Sequence, residues 1–155
     1  MSKNYNEQIK EAIEQFLDED DWNYEPMDEN GVFRMGVNMD CKLKSARVYI
    51  NVHAESFAVI SVPPIAADDE SKERAAEFIT RANYGMNIGN FEMDFNDGEI
   101  RFKTAVLCSD TIPTYDQVKD CIYLNVITLE RYCDAMTMVI YGMMTPDAAI
   151  KLVEG

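Results

Sequence analysis

The sequence is poor in the residue types from which catalytic and metal sites are usually built. It has a single histidine, His53, so one chain cannot supply a two-histidine metal site. Its four cysteines form no Cys-x-x-Cys pair, and no serine or threonine lies in a nucleophile-elbow motif. Gly85 and Gly89 follow a predicted helix, the reverse of the order that a phosphate-binding loop needs. We therefore expect no catalytic residues, no metal, no cofactor and no enzymatic activity.

Basic residues are also scarce. The chain has 14 Lys and Arg against 28 Asp and Glu, a formal net charge of −14. A field of that sign repels phosphate backbones and anionic lipid headgroups. The most apolar stretch, residues 121–129, is interrupted by Asn125 and is much shorter than the roughly 20 residues of a membrane span. Neither nucleic acid nor a membrane is therefore an expected partner.

Paired cysteines and linker-like segments are likewise missing. Four dispersed cysteines, ten methionines and a polar N-terminal stretch without targeting features are typical of a reduced, cytoplasmic protein. The 155 residues contain no repeat, low-complexity tract or linker, and a chain of that length is typical of one domain. We expect residues 1–155 to form a single domain.

Hydrophobic periodicity predicts an α+β fold. Alternating segments predict strands, and apolar residues at helical spacing predict helices. The elements follow the order α-β-β-β-α-β-β-α-α, which favours an antiparallel sheet of about five strands with helices packed on it. The predicted elements are a helix with its cap at Asn4, strands at 33–39, 48–53 and 57–62, a helix at 69–84, a hairpin, a helix at 115–141 and a short helix after Thr145.

The clearest local pattern predicts a β-hairpin with a two-residue loop at 97–98. In that register Glu92 lies opposite Lys103, and Met93 lies opposite Phe102. Charged pairs then share one face and apolar pairs the other, which is the arrangement expected of a half-buried hairpin.

The predicted helix at 115–141 is about 40 Å long and apolar nearly all round at its middle. Such a helix must be covered on two sides, and the sheet covers only one. The chain's own helices or a second copy in a homodimer then cover the other. Asn125 interrupts the apolar stripe, either to set the register of an interface or to bond within the chain. The candidate interface residues are Ile122, Asn125, Val126, Ile127, Leu129, Met136, Met143 and Met144.

Several segments together resemble one protein family. They are residues 83–94, 97–103, 139–142 and 145–150, which contain mostly turn glycines and apolar spacing. These segments are similar to the YbjN family, small bacterial proteins described as candidate sensory transduction regulators. The resemblance implies a type III secretion chaperone-like fold and offers no catalytic residues to transfer. Those chaperones are small, acidic dimers that hold an extended partner segment, so the resemblance also implies binding of protein.

Two classes of function follow from these patterns. The first is a non-enzymatic, homodimeric protein-binding module that serves as a regulator or a chaperone-like holder of another polypeptide. The alternative is a small-molecule sensor or an enzyme with a pocket between sheet and helices, for which a deep cavity with converging polar groups is the discriminating feature. A structural subunit of a larger complex is a third possibility, which co-purification of a stoichiometric partner distinguishes.

Overall fold

The computed structural model describes residues 4–155. Those residues form one antiparallel sheet and one layer of helices. The strands of the sheet lie in the order β1-β2-β3-β4-β6-β5. The elements are α1 (Glu7–Glu19), β1 (Tyr24–Glu25), β2 (Val32–Asn38), β3 (Ser45–Val52), β4 (Ser56–Val62), α2 (Lys72–Asn83), β5 (Asn90–Met93), β6 (Ile100–Leu107), α3 (Tyr115–Ile140) and α4 (Pro146–Glu154).

The antiparallel α+β fold predicted from the sequence is confirmed, with six strands in place of about five. The additional strand, β1, has only two residues, too few to show an alternating pattern. It exists because Tyr24 pairs with Met35 and Glu25 with Arg34 along the edge of β2. Pairing of this kind depends on a distant segment and leaves no local signal.

The core lies between one face of the sheet and α3, in two clusters along that helix. Val118 and Ile122 pack with α1 and the strands β2 to β4. Leu129 and Met136 pack with α2, α4, β5 and β6. The inward strand residues of both clusters belong to the same face of the sheet. The opposite face carries no helix from the part of the chain between residues 4 and 155.

The first helix begins two residues later than predicted. Its N-cap is Asn6, not Asn4, and the Asn6 side-chain oxygen accepts from the backbone N–H groups of Gln8 and Ile9 at 2.8 and 3.2 Å. The backbone N–H of Asn6 also donates to the carbonyl of His53 at 3.1 Å. This hydrogen bond to the residue after β3 determines where the helix starts. It joins residues far apart in the chain, so the local sequence around Asn4 does not reveal it.

Helix α2 is shorter than the predicted 69–84 because its first residues form a turn. The Ser71 hydroxyl accepts from Asp68 N, and the Asp68 carboxylate accepts from Ser71 N, both at 2.9 Å. Arg74 then links α2 to the C-terminal end of α3, where its guanidinium donates to the carbonyls of Val139 and Ile140 at 2.6 and 2.5 Å. A cation at this position also complements the helix dipole.

The predicted hairpin forms, but its predicted register is wrong by two residues. Glu92 lies opposite Arg101 rather than Lys103, and Met93 lies opposite Ile100 rather than Phe102. Because the shift is even, each side chain keeps its face. One Glu92 carboxylate oxygen still lies 3.0 Å from Lys103 Nζ and 3.5 Å from Arg101 Nε.

The register is set by a contact outside the hairpin. The loop spans residues 94–99, and Gly98 donates its N–H to Asp94 O at 2.7 Å. Ala67 donates its N–H to Gly98 O at 2.9 Å, and a Cβ at position 98 would lie 1.8 Å from Ala67 O. With φ of 77° as well, glycine is required there. The contact with Ala67 therefore determines the conformation of the loop, which is longer than the predicted two-residue turn.

Candidate protein-binding surface

Asn125 is fully buried and is bonded within the chain. Its side-chain N–H groups donate to the carbonyls of Val59 and Phe102 at 2.8 and 3.1 Å. Beside it, the Thr104 hydroxyl donates to Cys121 O at 2.8 Å. The polar break in the apolar stripe of α3 therefore joins the helix to β4 and β6.

The eight candidate interface residues lie in three kinds of environment. Four are completely buried in the core of the chain, two are half-buried and two are exposed. The buried residues are Ile122, Asn125, Leu129 and Met136. The half-buried residues are Val126 and Met144, and the exposed residues are Ile127 and Met143. The first group has no surface left to offer a partner. An interface through the other four stays a prediction.

The outer side of the middle of α3 is not covered by any helix of residues 4–155. Leu124 is 36% exposed and Ile127 56% exposed, whereas Ile122 on the sheet side is fully buried. The sheet and the flanking helices therefore cover α3 on one side, and an apolar strip remains in contact with water. Apolar strips of this kind on a folded protein are typical of interaction sites.

The loop between α2 and β5 extends this strip into a groove. Tyr84, which is 90% exposed, and Ile88 lie across from Leu124 and form the walls of a groove of about 670 Å³. Tyr84 and Ile88 were not predictable as site residues, because two apolar side chains in a loop have no periodicity. Their position beside Gly85 and Gly89 is the only local signal that an irregular turn presents them.

The polar groups at the end of the groove are already bonded to one another. The Tyr132 hydroxyl donates to a Glu154 carboxylate oxygen at 2.8 Å, and Arg131 donates to Val153 O at 3.4 Å. Burial, and then the neighbouring carboxylate, raise the pKa of Tyr132 to about 12. A phenol in this state stays protonated at neutral pH and is unsuited to act as a base.

Two buried thiols of α3 also have raised pKa values. Burial raises the pKa of Cys121 to about 11, and burial is also the main cause of the raised pKa of Cys133. Since the thiolate is the nucleophilic form, these side chains pack as small apolar groups. At neutral pH the Tyr132 phenol and these two thiols are therefore protonated and supply neither a base nor a nucleophile.

One edge of the sheet is open next to the groove. Strand β5 ends at Asn90, opposite Lys103, whereas β6 continues to Leu107. Residues 104–107 of β6 therefore have β4 on one side and no strand from residues 4–155 on the other. A row of unpaired N–H and C=O groups of this kind is a template for another strand.

The pairing of β5 with β6 shows which main-chain N–H and C=O groups of β6 point toward the open side. Both main-chain groups of Phe91 bond to the Asn83 side chain, so they point away from β6. Phe102, opposite Phe91, then directs its own groups toward β4. By alternation the N–H and C=O groups of Ala105 and Leu107 point toward the open side.

The open edge and the groove are continuous. Ile88 and Leu124 also line a hollow of about 240 Å³ together with Ala105 and Val106 of β6. Leu107, which ends the strand, is 85% exposed. We call this combined region the edge surface, formed by Tyr84, Ile88, Leu124, Ile127 and residues 104–107.

No helix between residues 4 and 155 combines the length and the hydropathy needed to cross a bilayer. In the same part of the chain, no three His, Cys, Asp or Glu side chains come together as a metal site.

The comparisons with known proteins point to one family. The model of the YbjN family, described as "Putative bacterial sensory transduction regulator", matches residues 10–138. No curated protein matches the sequence. The crystal structure of YbjN from E. coli, described as "a putative transcription regulator", is 11% identical, with 84% of this chain and 87% of that chain covered and a TM-score of 0.59.

A second solved structure is the type III secretion chaperone SycH from Yersinia pestis, determined in complex with a stable fragment of YscM2. It is 15% identical, with 77% of this chain and 97% of that chain covered and a TM-score of 0.47. At such identities the likeness concerns the fold alone. The predicted resemblance to the YbjN family is confirmed by the family match.

Proposed function

The chain belongs to the YbjN family, and on that premise we propose that it is a non-enzymatic protein-binding module, a regulator or chaperone-like protein that acts through protein–protein contacts. The edge surface takes up a stretch of another polypeptide. The open edge of β6, beside the exposed side chains of Ile88 and Leu124, is the observation that carries this proposal. We place the protein in the cytoplasm, and its four buried free cysteines support a reducing compartment.

The edge surface offers both parts of strand recognition. The main-chain groups of Ala105 and Leu107 supply two donors and two acceptors for an added strand. Side chains of that strand alternate between faces, so every second one points toward Ile88 and Leu124. Main-chain hydrogen bonds then contribute affinity, and the apolar side chains contribute specificity.

A homodimer uses the same surface. With a twofold axis at Val106, each Ala105 lies opposite Leu107 of the other copy, and both residues present outward main-chain groups. Twofold homodimers are the commonest oligomers, and this pairing is self-complementary. We therefore propose that a second copy and a different polypeptide compete for the edge surface.

Affinity capture with matched variants tests the proposal. Leu124→Glu introduces a charge into the edge surface, whereas Leu152→Glu places the same charge on a 61% exposed leucine of α4. We expect wild type and Leu152→Glu to capture the same polypeptide, or to sediment as the same dimer, and Leu124→Glu to do neither. Equal behaviour of all three proteins, with normal folding, would remove the edge surface as the binding site.

The groove volume favours one alternative, a small-molecule sensor. At about 670 Å³ the groove falls within the range of ligand pockets. Its polar groups, however, are engaged with each other at Tyr132 and Glu154, which leaves few to orient a ligand. A metabolite that raised the melting temperature of the wild type, but not of a Thr128→Trp variant with a filled groove, would establish this alternative.

A further inference from the structure

The uncovered face of the sheet has a charge unlike the rest of the chain. Its strand residues include four of the 14 basic residues of the sequence but only two of the 28 acidic ones. The four are Arg34, Arg47, Arg101 and Lys103, and the two are Glu25 and Glu92. A locally basic face on a protein with a net charge of −14 is selective for negative groups that reach only this part of the surface.

Aliphatic residues form the floor of this face. Ile60 and Val62 of β4 are only 7% and 6% exposed, although no helix of residues 4–155 lies over them. Tyr49 lies beside Ile60, and Arg47 lies beside Val62, on the neighbouring strand. Long side chains of this type cover apolar surface with their stems while the polar ends remain in water.

Gly36, in the interior of β2, has no conformational reason to be glycine. Its φ is not in the left-handed region. An added Cβ would meet nothing closer than Ala46 O, at 4.0 Å. Glycine weakens the interior of a strand and often marks a place where a ligand or another backbone approaches closely. The missing side chain leaves a hollow on the basic face.

That hollow has a volume of about 390 Å³, and its walls combine two arginines, one aromatic ring and one carboxylate. Arg34, Arg47, Tyr49 and Glu25 line it around Gly36. The ring of Tyr24 packs against Phe33 on the other face of the sheet. Arg34 is paired with Asp28 at 2.6 Å. The guanidinium of Arg47 has no hydrogen-bond or ion-pair partner among residues 4–155 and is available to a ligand.

We propose that the hollow over Gly36 binds an acidic segment of a partner protein. A carboxylate of that segment pairs with the Arg47 guanidinium, whose planar fork fits a carboxylate with two parallel hydrogen bonds. A neighbouring apolar side chain of the segment lies over Gly36, beside Tyr49. Charge complementarity selects a polypeptide over nucleic acid, because the acidic remainder of the chain repels a long polyanion but not a short segment held on one basic patch.

A displayed library of random peptides tests this proposal. Peptides of about eight residues are long enough, at about 3.3 Å per residue, to cross the sheet. We expect the wild type to select sequences rich in Asp and Glu with one aliphatic or aromatic residue, and this binding to weaken at high salt. Gly36→Thr, which fills the hollow with a residue that favours strands, should weaken binding of the selected peptides about tenfold or more while the melting temperature stays the same or rises.

Charge variants complete the test. Arg47→Glu should abolish binding, whereas Lys42→Glu, an exposed lysine in the turn after β2, should leave it unchanged apart from a weak long-range effect. Leu124→Glu should also retain peptide binding, since the edge surface is separate from the hollow. The proposal is overturned by Gly36→Thr binding as tightly as wild type, by selected peptides without acidic enrichment, or by RNA of similar length binding in place of peptides.

Discussion

Asn83 and Phe91 are joined by two hydrogen bonds that close one edge of the sheet. The Asn83 side-chain oxygen accepts from Phe91 N at 2.7 Å, and its side-chain nitrogen donates to Phe91 O at 3.1 Å. The carboxamide thus takes the place of the next strand, which protects β5 from pairing with other chains. The edge of β6 beyond Lys103 has no such protection. This difference between neighbouring edges makes β6 the place for a partner strand.

We predict that Asn83→Ala destabilises the fold and exposes the edge of β5. Loss of both hydrogen bonds should lower the free energy of unfolding by about 1–3 kcal/mol, since the Phe91 N–H loses its partner, although Phe91 O still accepts from the Asn90 side chain at 3.3 Å. Urea denaturation measures this change, and gel filtration at increasing concentration reports the new self-association. Asn87→Ala, on an exposed residue of the following loop, is the control and should stay within about 0.5 kcal/mol of wild type. Equal stability of the two variants would show that the contact contributes little.

Asn125 provides a second prediction, in which two substitutions separate hydrogen bonding from packing. Asn125→Asp places a carboxylate against the carbonyl oxygens of Val59 and Phe102, and we expect a loss of about 3–5 kcal/mol at neutral pH. Asn125→Leu keeps similar volume, withdraws the donors and also removes the buried Oδ1, which has no hydrogen-bond partner, so a smaller loss of about 1–3 kcal/mol is expected. Urea denaturation of both variants shows which substitution causes the larger loss of unfolding free energy. A larger loss for leucine would mean that shape, not hydrogen bonding, dominates at this site.

Features that depend on a few adjacent residues were predictable from the sequence. The start of α3 is an example, because Thr114 and Gln117 form both reciprocal hydrogen bonds of a capping box within four residues. Features that depend on distant contacts were not. The hairpin register depends on Ala67 beneath Gly98, and the start of α1 depends on the carbonyl of His53.

The candidate site divides in the same way. Helical spacing identified the apolar middle of α3, where Ile127 is exposed, because periodicity along a helix is a local property. It did not separate the side facing the sheet from the side facing water, so Ile122 was included among the interface residues. Neither the edge of β6 nor the loop residue Ile88 was found, since strand pairing and loop conformation are set by the whole fold.

The third prediction compares the two sides of α3. Ile127→Asp should fold normally, with a change in unfolding free energy of about 0.5 kcal/mol or less, because Ile127 is 56% exposed. Ile122→Asp places an unpaired charge in the core and should lose several kcal/mol, on the order of the whole stability. Thermal melting measures both. If the outer side of α3 contacts a partner, Ile127→Asp should also lower the sedimentation mass or the partner affinity, and no change in either would remove Ile127 from the interface.

The contact between α3 and α4 should be sensitive to high pH through Tyr132. Burial and the hydrogen bond to Glu154 raise its pKa from 10.0 to about 12. A group with a raised pKa in the folded state contributes stability that is complete below the unfolded value of 10.0 and is lost as the pH rises toward 12. Tyr132→Phe keeps the ring without the hydroxyl, so the stability difference from wild type, measured in urea, should shrink as the pH rises above 10.0. Tyr141→Phe, on a 69% exposed residue, is the control, and a constant difference for Tyr132→Phe across that range would contradict this linkage.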